Sequence, residues 1–354
     1  LEEAKQVTVT MEGRSFTPPP RRIDDILAFL DQPSGPESAA IEKLKARAAE
    51  SPPDNADDST LANFYFRRGE AASILSLFKQ SNEDFRTALR YAEKANIKPP
   101  KLLAKLGVSE FISGNFKHGI DLLEQSLKIQ ERPNTYAQLV KLHSRVGDLE
   151  SAERYKRRGV HLCNQLKGRQ GWGVWPELFA AQMRAYILEA QGKFAEAEKH
   201  YRKIERIISK SMREKYPVVP FVNRIYLARN MKRQGHLLEA ELQARQALKD
   251  VVGYGGKESE AVGATIGDLG DFLQRQGRLR ESEKLMRTGI RIIEKSDISA
   301  DSYIAGQNRI WLGNVLTDKG DFVAAMEQYD IARENLRGNQ YLYKGFLARN
   351  PNLM

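Results

Sequence analysis

The sequence predicts an all-α solenoid, an α-α superhelix of about seven stacked helix hairpins. Three observations predict it. A short phrase recurs seven times, anchored on Ser76, Gly114, Gly147, Gly192, Gly235, Gly277 and Gly320, with spacings of 38, 33, 45, 43, 42 and 43 residues, the period of helical repeat arrays. Small residues recur in register with the anchors: Ser81, Gly119, Ala152, Ala197, Ala240, Ser282 and Ala325 five residues after, and Gly69, Gly107, Val140, Ala185, Ala228, Gly270 and Gly313 seven before. Twelve after stand Ala88, Ser126, Gly159, Ile204, Ala247, Gly289 and Ala332, of which only Ile204 is large. Between these marks the apolar residues keep helical spacing, as in Ile310, Leu312, Gly313, Val315 and Leu316 before the last anchor and Ala325, Met326, Tyr329 and Ala332 after it.

Each element follows from this frame. Small residues on facing helices let two axes approach closely, and the anchor glycine supplies the left-handed backbone that ends one helix and starts the turn. One hairpin cannot bury its apolar stripe alone, but seven stacked ones share a continuous core. The third copy departs from the pattern, because Lys156 stands where Phe85, Leu123, Tyr201, Met286 and Tyr329 stand elsewhere. Tyr155 is expected to take over its packing. Between copies, Gly253-Tyr254-Gly255-Gly256-Lys257-Glu258 lacks the spacing of a phosphate loop and reads as a connection, and Trp175 reads as a staple on the start of the next helix.

Three segments are expected: 1–60, the array over 61–337, and 338–354 as the start of a further helix. The first carries 7 Lys+Arg against 12 Asp+Glu, a balance of −5, which leaves +15 for the remainder of a chain whose total is +10. After the extended Thr17-Pro18-Pro19-Pro20, the residues Ile23, Ile26, Leu27 and Leu30 share one helical face and are expected to dock on the array. A second short helix is expected from a Ser38 cap to about Ala49. The chain opens on Leu1 and stops at Asn352-Leu353-Met354 without a polar cap, so the natural chain is expected to continue.

Composition excludes several functions. The 354 residues are 41% apolar and 29% charged, and no apolar run approaches the roughly 18 residues of a membrane-spanning helix, so no membrane insertion is expected. Cys163 is the single cysteine, which excludes an intramolecular disulfide and the multi-cysteine zinc sites. His161 and Cys163 lie two apart on one helix and therefore face different ways, giving a half-buried thiol and a surface imidazole. His118, His143, His200 and His236 are scattered among the copies, so neither a metal nor any other cofactor is expected.

The phrases Leu106-Gly107 with Gly114-Asn115-Phe116, Leu269-Gly270 with Gly277-Arg278-Leu279, and Leu312-Gly313 with Gly320-Asp321-Phe322 resemble the signature of tetratricopeptide repeat proteins. The resemblance runs from about Leu61 to Leu336. Copies of 42 to 45 residues are similar to the long-repeat type of kinesin light chains, with about one turn added to each helix. The opening, Val9-Thr10-Met11-Glu12-Gly13 with Phe16 to Arg21, and this repeat type resemble the amino-terminal half of bacterial proteins that carry a CHAT peptidase after the repeats.

The resemblance implies a concave groove, lined by first helices, that holds a peptide or protein partner, with no catalysis in this segment. Residue by residue the groove is expected to present Lys141, Arg145, Tyr186, Tyr226, Arg229, Arg233, Arg275 and Trp311, with Glu189, Asp268 and Asp271 offsetting the cations. A larger bacterial protein with a peptidase in the same chain would use the array as its recognition half. The alternatives are a basic nucleic-acid-binding solenoid and a peptide sensor in signalling. A nucleic-acid partner is disfavoured because no pair of side chains recurs at one site in successive copies, as a base-reading code requires.

Overall fold

A computed structural model of the chain describes residues 19–20, 22–32, 39–296 and 303–336. Among them are 17 α-helices and no strand. The expected cap Ser38, most of the proline-rich opening and the segment 338–354 lie outside the described residues.

Two short helices come first, α1 (Asp24–Asp31) and α2 (Ala39–Ala48). Seven hairpins follow: α3 (Asp58–Ile74) with α4 (Phe78–Lys94), α5 (Pro100–Ile112) with α6 (Phe116–Ile129), α7 (Pro133–Val146) with α8 (Leu149–Leu166), and α9 (Trp175–Ala190) with α10 (Phe194–Ile207). After the short α11 (Lys210–Lys215) come α12 (Val218–Arg233) with α13 (Leu237–Gly255), α14 (Glu260–Arg275) with α15 (Leu279–Lys295), and α16 (Tyr303–Asp318) with α17 (Phe322–Leu336). Helix starts follow local chemistry: Asp57 accepts from the Thr60 N–H at 2.7 Å, Asp148 from that of Ser151 at 3.0 Å, and α5, α7 and α9 carry proline in the first turn, where no N–H is missed.

All seven anchors occupy the left-handed region, from φ 62° at Ser76 to φ 98° at Gly114. All 21 register positions are buried. The reason for small residues is visible at two contacts. A Cβ on Gly107 would stand 2.7 Å from the Gly119 carbonyl oxygen, and one on Gly119 2.6 Å from that of Gly107; Gly263 and Gly289 oppose each other likewise at 2.8 and 2.7 Å. In the third hairpin Tyr155 is buried and donates to Glu124 at 2.5 Å, while Lys156 is half-buried and pairs with Glu153. The substitution of packing roles is as expected.

Four expectations are corrected. Met326 is 58% exposed, since the first turn of α17 has no following hairpin over it in the described residues. The extra length of the copies does not always enter helices: between α10 and α12 it forms a connection containing α11, and between α8 and α9 it forms the loop 167–174. The glycine-rich connection begins later than expected, because α13 runs through Gly255 with Tyr254 buried, and only Gly256, at φ 75°, ends it. Cys163 is fully buried, and burial pushes its thiol up to about 11; His161 is exposed. Trp175 does staple α9, its ring stacked 5.7 Å from Phe179 one turn on and edge-on to Tyr216 at 5.0 Å.

First helices pack on one another across hairpin boundaries, α7 on α9, α12 on α14 and α14 on α16.

Candidate partner-binding groove

The residues expected at the groove centre come from α7, α9 and α12. Helical spacing of four puts Lys141 and Arg145 on the same stripe of α7, and likewise groups Tyr226, Arg229 and Asn230 on α12. Arg145 donates from Nη2 to the Tyr226 hydroxyl at 2.8 Å. The Tyr226 ring lies 5.2 Å from that of Tyr186 and 6.1 Å from that of Tyr201, nearly parallel to the latter at 17°. The Arg145 guanidinium also faces the Phe111 ring at 6.0 Å. Three successive hairpins thus bring five of the eight expected residues, Lys141, Arg145, Tyr186, Tyr226 and Arg229, to one place.

The charges at this place do not balance evenly. Arg229 makes a two-pronged contact with Asp268, both bonds 2.8 Å, and Asp268 is 1% exposed. Lys232 pairs with Asp271 in the same way across α12 and α14. Glu189 accepts from the Asn230 amide at 3.1 Å. Lys141 has no hydrogen-bond or ion-pair partner among the described residues. Its side-chain surface is only partly covered, yet the protein packed around the ammonium lowers its pKa, and Arg145 and Arg229 add to that, against an opposing pull from Tyr226.

The tyrosines register the same field. Burial raises the Tyr186 phenol well above its ordinary range, as it does that of Tyr201. Burial would raise Tyr226 too, but Arg145, Lys141 and Arg229 outweigh it and hold that phenol below its ordinary value. Glu189 is raised by burial, with the Asn230 amide and Arg233 opposing. The spot beside the Tyr226 oxygen is therefore one where negative charge is favoured. Chemically, the arrangement can hold an anionic group against an aromatic wall.

The other three expected residues are not gathered with these five: Arg275 and Trp311 lie apart, and Arg233 acts on this place only through its field on Glu189. Arg233 is exposed, with its guanidinium 5.4 Å from the Phe194 ring. Arg275 is exposed in the last turn of α14. Trp311 is half-buried against the apolar cluster that joins α15 to the last hairpin. Reasoning from sequence missed Tyr201 and Asn230 as groove residues. Tyr201 reads from sequence as core packing on a second helix, and its ring does both; Asn230 is fully buried beside Arg229, and its spacing does not single it out from the equally polar Asn223 and Gln234 of the same face.

The sequence comparison with family models finds one match, to the tetratricopeptide repeat, over residues 262–296, which are α14 and α15. No curated protein sequence matches the chain. Among solved structures, a Rap protein in complex with competence and sporulation factor is similar over 89% of this chain and 91% of its own, with 12% identity and a TM-score of 0.50. A STAND-class signal transduction ATPase with a tetratricopeptide repeat sensor, from Pyrococcus horikoshii, is similar over 88% of this chain and 51% of its own, with 13% identity and a TM-score of 0.50. A kinesin light chain repeat protein from Podosopora anserina is 20% identical over 60% of this chain and 99% of its own, with a TM-score of 0.42. The matched segment, a tetratricopeptide repeat, is the sixth of seven hairpins built alike, and the described residues form an all-α superhelical repeat array.

Proposed function

We propose that the chain is a protein-interaction scaffold that holds a protein segment along its first helices, with an acidic side chain of that segment at Lys141 and Arg145. The observation that carries this reading is the Lys141 ammonium beside Tyr226, Arg145 and Arg229, with no hydrogen-bond or ion-pair partner among the described residues. An ammonium kept half-buried without a partner costs free energy, and an incoming carboxylate would offset that cost. Tyr186 and Tyr226 supply large, stiff contact surface, and tyrosine and arginine are enriched among residues that dominate binding energy. Arg229 acts here through Asp268, as a wall of the site. The Rap protein's complex with competence and sporulation factor and the tetratricopeptide repeat sensor of the Pyrococcus protein support a sensing version of the same reading.

A finer proposal is that the array is the recognition half of a bacterial chain that carries a CHAT peptidase. Its support is the likeness of the opening segment to such proteins, and the full reading frame tests it. No reaction is assigned to the residues described above.

The test is a peptide-library screen with the full chain, followed by Lys141→Met and Arg145→Gln. Enriched peptides should carry Asp or Glu beside an apolar residue and should lose about 2 kcal/mol or more with either substitution. Enrichment of basic or uncharged peptides would overturn the reading. So would a preference for nucleic acid with affinity falling steeply with salt and indifferent to single cations.

A further inference from the structure

The amino-terminal segment touches the array in two distant places. Helix α2 packs on α3, with Ile41 and Ala48 buried; Gln80 donates to the Ala48 carbonyl at 2.6 Å and Arg68 to that of Glu50 at 2.9 Å. Helix α1, immediately before it, lies instead on the fifth and sixth hairpins. Arg245 of α13 reaches Asp25 at 2.5 Å and the carbonyls of Pro20 and Arg22 at 3.3 and 3.2 Å. Lys257 donates to the carbonyls of Leu30, at 3.0 Å, and Gln32, at the end of α1 where the helix dipole favours a cation. The Ile23 backbone lies close enough to Glu281 of α15 to help hold that carboxyl below its ordinary value, after the larger effect of Arg278. Ile23 and Ile26 are 3% and 4% exposed.

The first hairpin also meets the fifth directly. Its turn is buried, with Leu75 and Ser76 at 4% and 6% exposure, whereas the anchors Gly147, Gly192, Gly235, Gly277 and Gly320 face solvent. The Ser76 hydroxyl oxygen lies 3.8 Å from the place a Cβ on Gly255 would take. The superhelix therefore comes round on itself here, beside the seat of α1 on the fifth and sixth hairpins. That seat is light. Eight residues are too few to form a stable helix alone, since isolated helices shorter than about 12–15 residues are marginal, and Ile23 provides no side-chain cap. Segments with few buried contacts open at a cost well below global unfolding.

We propose that α1 is a reversible clasp: seated on Arg245 and Lys257, it holds the superhelical turn closed between the first hairpin and the fifth and sixth, and its release lets the turn open. The proposal does not depend on what the groove binds. The experiment uses the full chain with Cys163→Ser and spin labels on Lys79→Cys and Glu258→Cys, both exposed positions. The wild-type clasp should give one short, narrow distance distribution. Asp25→Lys, which sets a like charge against Arg245, and Ile26→Asp should lengthen and broaden it while helicity is kept. A peptide of residues 19–32 added in trans should restore the short distance in the Asp25→Lys chain. It should bind that chain at least tenfold more tightly than wild type, where the tethered α1 competes at an effective concentration of about millimolar. An unchanged distance in Asp25→Lys would overturn the proposal, and so would a peptide that fails to restore closure or binds wild type equally well. Should Ile26→Asp fail to fold, Asp25→Lys decides alone.

Discussion

Two basic clusters, built from the same residue types, differ in how their charges are met. On α13 and α15, Arg245 and Arg278 converge on Glu241, which is fully buried, and Asp25 and Glu281 complete the set. In the groove, Lys141, Arg145 and Arg229 converge on Tyr226, while the carboxylates at hand are Asp268, already engaged by Arg229, and Glu189, which burial pushes toward its neutral form. The first cluster is closed, and its cations are structural. The second keeps a positive excess at one spot. Basic residues in a repeat array are thus informative only together with the carboxylates that face them across hairpins.

The sharpest way to break this comparison is to remove Glu241. Glu241→Ala leaves Arg245 and Arg278 facing each other in a buried setting, and loss of one partner of a buried pair costs about 3–5 kcal/mol. Denaturant unfolding should show it as a large drop in midpoint. A small effect would mean that the closed cluster is not closed.

Arg229→Ala comes next, because it strands the buried Asp268 carboxylate. The guanidinium is about one-third exposed, at 34%, so water moderates the loss, and about 2 kcal/mol is expected. Helicity should persist and the unfolding midpoint fall. Loss of partner binding in this variant would then report damage to the wall of the site, which is why Lys141 and Arg145 are the discriminating substitutions.

Lys141→Met should behave in the opposite sense, holding or raising stability by about 1 kcal/mol while weakening the partner. Its pH signature follows from the lowered lysine pKa. Between that lowered value and the ordinary one near 10.4, the unfolded chain binds more protons than the folded one, so wild-type stability should rise with pH across the window relative to Lys141→Met. A difference that stays flat with pH would show that Lys141 is solvated like any surface lysine.

Ala240→Leu probes the hairpin frame that sets both clusters in place. Ala240 is fully buried on α13, and replacing its methyl with an isobutyl group should cost about 1–3 kcal/mol by overpacking. Arg275→Ala gives the smallest effect, within about 0.5 kcal/mol, since its side chain is exposed.

The hairpin count, every turn anchor and the small residues in register with the anchors were legible in the sequence, because backbone geometry at a turn and steric room at a crossing are local demands that only a few residue types meet; the close approach of Gly263 to Gly289 was not, since Gly263 stands outside the register. Ser76 at φ 62° is the instructive case: it was found by its spacing although it is not glycine. The groove was legible as a direction, since the 3.6-residue period says which stripe of a first helix is shared. It was not legible as a charge balance. Whether Arg229 meets solvent or Asp268, 39 residues away, depends on how far successive hairpins rotate, and loop lengths such as the α11 connection set that rotation.

What the sequence by itself determined is the repeat: an all-α array in which glycine ends the first helices and small residues seat the second. What only the tertiary structure decided is which chemistry remains unspent. The superhelical turn brings α1 to Arg245 across 220 residues, brings Ser76 to Gly255, and leaves Lys141 beside Tyr226 without a carboxylate partner among the described residues. These outcomes are pairings between distant hairpins, and no local rule of spacing or size specifies them, because a charged side chain is equally compatible with its helix whether its partner is near or absent.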